Sequence, residues 1–146
     1  MNLKITNFNI RVYGILIEKG HVLVSKEIRS GFEMLKFPGG GLEKGEGIEA
    51  CIMREFKEEL GIEVEIKDHF YVNEFLQVSA FNPADQLISF YYNIATNQGG
   101  KIPIDKTISQ EKKGDFQSFH WIEIPNLLES EFTFPIDKVV AKLLRD

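Results

Sequence analysis

The sequence predicts an α/β fold in which a mixed β-sheet is flanked by helices on both faces. Two observations lead to this prediction: β-rich segments lie before and after a strongly periodic helix at residues 46–60, and a second amphipathic helix follows Pro135. Strands and helices that alternate in this way are typical of a sheet covered by helices. The 146 residues are enough for one domain with a sizeable core, and we expect residues 1–146 to form a single domain.

The order of elements follows from β-type composition, turn residues and helical periodicity. A hairpin over residues 9–28, with its turn at 18–20, opens the series of predicted strands, which are 9–17, 21–26, a brief 36–37, 63–66, 69–78, 87–96 and 116–122. Residues 29–35 and 98–114 are predicted to be polar connections. Besides the helix at 46–60, one or two helical turns are expected at 125–129.

The helix at 46–60 is predicted by its apolar spacing. Ile48, Ile52, Phe56 and Leu60 recur every four residues and form a stripe along one side of a helix. Gly61 follows directly and is able to take the left-handed conformation that ends many helices. We therefore expect the stripe to pack on the sheet.

Three carboxylates lie on one flank of this helix. At 100° per residue, Glu55, Glu58 and Glu59 share an arc of roughly 100°. Their repulsion costs a few tenths of a kcal/mol per pair, and the helix C-terminus adds to it. A divalent cation would neutralise the cluster, and oxygen ligands suit Mg²⁺ or Mn²⁺. The alternative is a solvated surface helix on which Arg54 pairs with Glu58.

The segment before the helix favours the metal interpretation. Residues 37–41, FPGGG, combine a rigid turn with three glycines, which let backbone approach a ligand closely. The segment is not a P-loop, because no Lys-Ser/Thr pair follows it, and it is not a dinucleotide fingerprint. A glycine-rich loop that leads into a carboxylate-lined helix is a reasonable cradle for a metal–pyrophosphate.

The stretch from 40 to 62 reads GGLEKGEGIEACIMREFKEELGI. Its fixed positions are Gly40, Glu46, Arg54, Glu55, Glu58, Glu59 and Gly61, with apolar Phe56 and Ile62 between and after them. This pattern resembles the full signature of the Nudix hydrolases, without a substitution. The resemblance in motif covers residues 36–62, and the order of elements is compatible over nearly the whole chain. It implies a Nudix-like α/β/α sandwich and a magnesium-dependent hydrolase, with Mn²⁺ as a possible alternative ion.

The resemblance also implies the roles of the acidic residues. Glu55, Glu58 and Glu59 are the implied metal ligands and catalytic residues. Glu55 is the candidate for orienting or deprotonating the attacking water. The backbone carbonyl of Gly39 or Gly40 is a further candidate ligand.

Four more residues are assigned around this set. Glu46 and Arg54 are implied to brace the loop against the helix by an ion pair, and the alternative is two unrelated surface charges. A further acidic ligand is expected beyond the motif, with Glu111 and Asp115 as the candidates, and ordinary loop charge is the alternative for each.

Substrate contacts are predicted from residue type and place. Arg11, Arg29 and Lys36 lie near the expected entrance, where cations meet phosphates, and surface charge is the alternative for each. Phe37 and His120 are further candidate contacts. Nucleobases stack on aromatic faces, and the candidates for this are Tyr71, Phe75, Phe90, Tyr91, Tyr92 and Phe119.

Composition narrows the partners. A net charge of −5 argues against a broad nucleic-acid footprint and against an anionic membrane surface. Cys51 is the only cysteine, and the N-terminal residues lack the pattern of a signal peptide, so we expect a cytoplasmic protein. For the oligomeric state, the sequence leaves monomer and homodimer both open.

The predicted substrate is a small nucleoside-diphosphate derivative: a nucleoside triphosphate, ADP-ribose, a nucleotide sugar or a dinucleoside polyphosphate. The alternative function is a non-catalytic nucleotide sensor on the same fold, which would be expected to lose motif carboxylates.

Overall fold

The computed structural model describes residues 4–110 and 112–146. The strands are β1 Asn7–Glu18, β2 His21–Arg29, β3 Phe32–Lys36, β4 Gly39–Gly41, β5 Glu65–Val72, β6 Asp85–Ala95, β7 Ile108–Ser109 and β8 Phe116–Glu123. The helices are α1 Ile48–Leu60 and α2 Pro135–Arg145, with 3₁₀ turns at Gly99–Lys101, Ile124–Asn126 and Glu129–Glu131. Neither α1 nor α2, the α-helices of the described part, has the length and apolar character needed to cross a membrane.

The strands form one mixed sheet in the order β5-β6-β1-β2-β8-β7. Strand β1 runs parallel to β6, and β1 and β2 pair antiparallel beside their turn, at Ile17–Val22 and Glu18–His21. Farther from this turn each of the two strands pairs with a further, short strand, β1 with β4 and β2 with β3. The short strands therefore lie at the end of the hairpin where the glycine-rich segment leads into α1.

Two apolar cores cover the two faces of the sheet, which confirms the predicted fold class. On one face Ile52 and Phe56 of α1 pack with Val12 of β1. On the other face Ile136 of α2 packs with Ile15 of β1. Successive residues of a strand point to opposite faces, so β1 supplies both cores. Burying a side chain such as Phe56 contributes about 1.5–3 kcal/mol.

The prediction of a loop at 29–35 is wrong, because most of these residues belong to the hairpin of β2 and β3. Ser30 and Gly31 have positive φ angles of 52° and 79°, and they form a tight turn between β2 and β3. Two consecutive residues of positive φ suit the right-handed twist of paired strands. Met34 and Leu35 of β3 are buried, and their burial favours strand over loop.

The strands predicted at 63–66 and 69–78 are also corrected. They are replaced by the single strand β5, which pairs with β6 through two register irregularities. After Val72 the chain leaves the sheet and meets β6 again only at an isolated bridge between Val78 and Gln86. The side chain of Asn73 takes over part of the pairing in between. Asn73 Oδ1 accepts the backbone N–H of Ser89 at 2.8 Å, and Nδ2 donates to the carbonyl of Leu87 at 3.2 Å.

Candidate active site

The glycine-rich segment lies against β1 because glycine permits its backbone path. Gly39 has a φ angle of 155°, and a Cβ on it would lie 2.2 Å from the carbonyl oxygen of Val12. A Cβ on Gly40 would lie 2.4–2.6 Å from the carboxylate of Glu55. The missing side chains thus let β4 approach β1 and let Glu55 lie directly against the backbone.

Helix α1 is flanked by a glycine at each end. Gly47 precedes it in an extended conformation, with φ −83° and ψ 168°. Gly61 ends it in the left-handed region, with φ 68°, and its N–H donates to the carbonyl of Lys57 at 3.0 Å. The predicted C-terminal glycine is therefore found in the expected conformation.

Arg54 joins α1 to the loop that precedes it. Its Nε and Nη2 donate to the two oxygens of Glu46 at 3.0 and 2.7 Å, and Nη2 also donates to the carbonyl of Gly41 at 3.1 Å. The same carboxylate accepts the backbone N–H of Glu43. The hydrogen bonds from Arg54, followed by that from Glu43, lower the pKa of Glu46 to about 2. Such a two-pronged pair is the geometry that a loop brace requires.

Arg54 also contacts two of the three predicted metal ligands. Its Nη1 lies 2.9 Å from Oε1 of Glu55, whose side chain is 14% exposed, and 3.3 Å from Oε2 of Glu58, whose side chain is 60% exposed. Burial raises the pKa of Glu55, and Arg54 opposes this effect. One guanidinium therefore holds two carboxylates on the same flank of α1.

The third carboxylate, Glu59, is only partly satisfied. Its Oε1 accepts a long hydrogen bond of 3.4 Å from Nε2 of Gln117, and Gln117 also donates to Oγ of Ser25 at 2.9 Å. Its Oε2 is buried and has no hydrogen-bond partner within residues 4–110 and 112–146. Burial raises the pKa of Glu59 to about 7, against the opposing charge of Lys36. Buried polar atoms without partners are rare in proteins.

The residues on α1 fit a divalent cation. The unsatisfied oxygen of Glu59, the carboxylate of Glu55 above Gly40 and the exposed Glu58 all offer the hard oxygen atoms that Mg²⁺ and Mn²⁺ bind. In the described parts of the chain, no three acidic, His or Cys side chains already converge into a metal cage. The support for the metal assignment is the carboxylate chemistry of these three residues together with the unpaired oxygen of Glu59.

Of the two metal ligands predicted beyond the motif, the structure describes Asp115 but not Glu111. Glu111 lies outside the described residues. Asp115 is buried, and its Oδ1 accepts the backbone N–H of Ser30 at 2.9 Å. This hydrogen bond gives Asp115 a structural partner at the turn between β2 and β3.

A cavity on the α2 face of the sheet brings together the predicted phosphate contacts. Arg11, Arg29 and Lys36 all line it. Arg11 donates from Nε to the hydroxyl of Tyr13 at 3.1 Å, and the guanidinium of Arg29 lies 4.8 Å from the ring centre of Phe81. The cavity thus combines cations with aromatic surface.

Two predicted substrate contacts have other surroundings in the structure. Phe37 is fully buried and stacks on Phe132 at 4.9 Å, so its ring is part of the α2-face core. His120 lies 2.6 Å from Oδ1 of Asp105 through Nδ1 and 2.8 Å from Oγ of Ser118 through Nε2. These hydrogen bonds tie the connection before β7 to β8.

Sequence reasoning missed Glu27, Tyr13 and Asp137, which also line the cavity. In the sequence, the signal that could have pointed to a role for Glu27 is that a charged residue continues the apolar strand β2. Its partner Lys36 reaches it through the hairpin of β2 and β3, and that hairpin was not predicted.

Asp137 is expected to make the protein less stable as the pH rises. Its carboxyl is buried and accepts a 2.5 Å hydrogen bond from Tyr91. Burial, opposed by this hydrogen bond, raises the pKa of Asp137 from 3.8 to about 7. Between these values the folded state binds the extra proton, so the free energy of unfolding falls with pH.

Between pH 5 and pH 8 the free energy of unfolding of the wild type should fall by roughly 2–3 kcal/mol at most because of Asp137. In Asp137→Asn this contribution should be absent, and urea unfolding at several pH values measures the difference. Asp68→Asn, at an exposed position of β5, is the control and should leave the wild-type pH dependence unchanged. Equal pH dependence in the wild type and Asp137→Asn would contradict the expected shift.

Comparisons with known proteins agree with this geometry. A family model of the NUDIX domain matches residues 7–143. A MutT protein from Methanosarcina mazei Go1 has a similar solved structure, with a TM-score of 0.67 and 16% identity over 95% of this chain and 94% of that one. No curated protein sequence gives a significant match to the chain.

Two further solved structures share the fold. A NUDIX hydrolase from Nitrosomonas europaea has a TM-score of 0.66 and 18% identity over 92% of this chain and 88% of that one. A UDP-X diphosphatase has a TM-score of 0.60 and 15% identity over 93% of this chain and 62% of that one. At these identities the likeness shows the fold.

Proposed function

Because the chain belongs to the Nudix family of pyrophosphohydrolases, we propose that it binds Mg²⁺ or Mn²⁺ through Glu55, Glu58 and Glu59. Its proposed substrate is a nucleoside diphosphate linked to another moiety. The observation that carries this proposal is the buried, unpaired Oε2 of Glu59 on the helix flank that also bears the other two carboxylates. When bound, the metal ion supplies charge neutralisation at phosphorus and acidifies water.

The remaining chemistry falls to residues of the chain. Water attacks phosphorus, the bridging P–O bond breaks, and the proton of the water passes to a carboxylate. We assign this proton to Glu55, because its carboxylate lies directly against Gly40 of the glycine-rich segment, and burial raises its pKa. Glu46 and Arg54 hold the loop and helix together, so that the carboxylates keep their positions during attack.

The cavity on the α2 face is our proposed site for the nucleoside part of the substrate. Arg29 and Phe81 form an edge of the cavity on which a base is able to stack, and Arg11 lies within reach of phosphate. The candidates remain those predicted from the sequence: a nucleoside triphosphate, ADP-ribose, a nucleotide sugar or a dinucleoside polyphosphate.

A screen of these four substrate classes with Mg²⁺, and then with Mn²⁺, tests the proposal. We expect turnover concentrated on one class, products that correspond to cleavage of a diphosphate linkage, and loss of activity on chelation that is restored by added metal. Mass spectrometry after reaction in ¹⁸O-water identifies the attacked phosphorus. Absence of turnover on every class with both metals would contradict the proposed function.

A further inference from the structure

From the buried pair of Lys36 and Glu27 we infer that Lys36 is a substrate-positioning residue. It binds a phosphate oxygen between the α1 carboxylates and the α2-face cavity, and Glu27 holds it in place. This inference rests on the proposed function and adds a residue outside the glutamate cluster to it.

Lys36 is the last residue of β3, directly before the turn that leads into the glycine-rich segment. Its Nζ lies 3.1 Å from Oε2 of Glu27, and the two side chains are only 13% and 10% exposed. The strand register places Lys36 opposite Ser25, which is two residues before Glu27 and points to the same face of β2. The ammonium group of Lys36 is therefore held where the hairpin of β2 and β3 meets the glycine-rich segment.

Stability alone is a poor explanation of this pair. Taking two charges out of water costs more than many such pairs recover, and apolar residues of similar volume are often as stable. The pair of Lys67 and Glu65 shows the ordinary alternative, with a similar distance of 3.0 Å but side chains that are 48% and 72% exposed. A buried lysine at this point of the chain is better explained by a ligand.

The neighbours of Lys36 place it between the two faces of the site. Its charge acts on Glu59 of α1 and on Asp137 of α2, and it also faces Arg11 and Tyr13 of β1. Burial by itself lowers the pKa of Lys36, but the oxygens of Tyr13 and Glu27 more than offset this effect, and the pKa is raised. Lys36 therefore remains charged at a position that lines the cavity and from which its charge also acts on Glu59.

The charge of the cavity points to an anionic ligand. Three cations line it, Arg11, Arg29 and Lys36, against the acidic Glu27 and Asp137. The raised pKa of Asp137, due to burial, further reduces the negative charge there near neutral pH. A protein with a net charge of −5 thus presents a cavity that is lined by more cationic than acidic side chains. Phosphate oxygens are strong partners for an ammonium group.

A double variant tests this role without leaving a buried charge unpaired. Glu27→Met together with Lys36→Met replaces the pair by apolar side chains of similar length, so the fold is expected to survive, as circular dichroism would show. Glu65→Met with Lys67→Met is the matched control, since it removes an exposed pair of the same kind. Lys36→Arg keeps the positive charge and serves as the conservative variant.

The probe is methylenediphosphonate with Mg²⁺, titrated by calorimetry, because every candidate substrate contains a diphosphate. We expect the double variant to bind it about 10- to 100-fold more weakly than the wild type, with wild-type affinity in the control and partial recovery in Lys36→Arg. On the substrate found by the screen, KM should rise more than kcat falls. Titration of Mn²⁺ alone should be unchanged in the double variant.

Two results would overturn the inference. The first is affinity of the double variant for the diphosphonate within twofold of the wild type, and the second is a matching loss of Mn²⁺ binding, which would assign the pair to the metal site. Its failure is distinguishable from that of the proposed function. A wild type that hydrolyses substrate while the double variant keeps its KM contradicts only the role of Lys36, whereas Lys36-dependent diphosphonate binding without any turnover contradicts only the hydrolysis.

Discussion

The Glu58→Gln variant is expected to lose about 100-fold or more in kcat while its free energy of unfolding stays within about 0.5 kcal/mol of the wild type. The side chain of Glu58 is 60% exposed, and its contact is the 3.3 Å pair with Arg54 one helical turn earlier. Exposed pairs of this kind contribute at most a few tenths of a kcal/mol. Glutamine keeps the size of the side chain and removes the negative charge that a metal ion requires.

Steady-state kinetics with the preferred substrate and urea unfolding measure the two quantities. Glu49→Gln is the matched control, because Glu49 is exposed on the first turn of the same helix. It should retain wild-type turnover. Full activity in Glu58→Gln would remove Glu58 from the set of metal ligands, and unfolding of the variant would show that its charge serves the fold instead.

The features of the site that sequence predicts are those set by local spacing. The carboxylate flank of α1 depends only on the helical period, so Glu55, Glu58 and Glu59 are placed by counting residues. The glycine that ends the helix is similarly local, because a left-handed residue at Gly61 follows from the stop of the apolar stripe.

The features that sequence does not reveal depend on pairing between distant segments. Lys36 meets Glu27 only when β2 and β3 form a hairpin, and the segment between them is polar enough to resemble a loop. Asp115 meets the turn at Ser30 across 85 positions of the chain. The register that creates such contacts is set by tertiary packing, which a single sequence does not show.

The same limit applies to residues whose type suits a substrate contact but whose side-chain direction cannot be read from the sequence. Phe37 precedes the glycine-rich segment, where an aromatic ring is well placed to meet a substrate. In the structure its ring lies in the α2-face core instead, where it packs on Phe132 and Tyr91. Sequence identifies the aromatic residues, and the fold decides which of them face the cavity.

Gly39→Ala is expected to lower the free energy of unfolding by about 3 kcal/mol or more. Its φ angle of 155° is one that side chains rarely allow, and the added Cβ would lie 2.2 Å from the carbonyl oxygen of Val12 and 2.7 Å from Cα of Tyr13. Both neighbours are backbone atoms of β1, so a rotamer change does not relieve the overlap. The variant therefore has to separate β4 from β1.

This separation also disturbs the site, since Gly40, which follows directly, lies beneath the carboxylate of Glu55. Thermal unfolding should show a fall in Tm of about 10 °C, and turnover should fall even at temperatures where the variant is folded. Gly100→Ala is the control, because a Cβ there meets no atom of the described chain within 4 Å and the residue is exposed. Equal stability of Gly39→Ala and Gly100→Ala would contradict the close approach of β4 to β1, and with it the position assigned to Glu55.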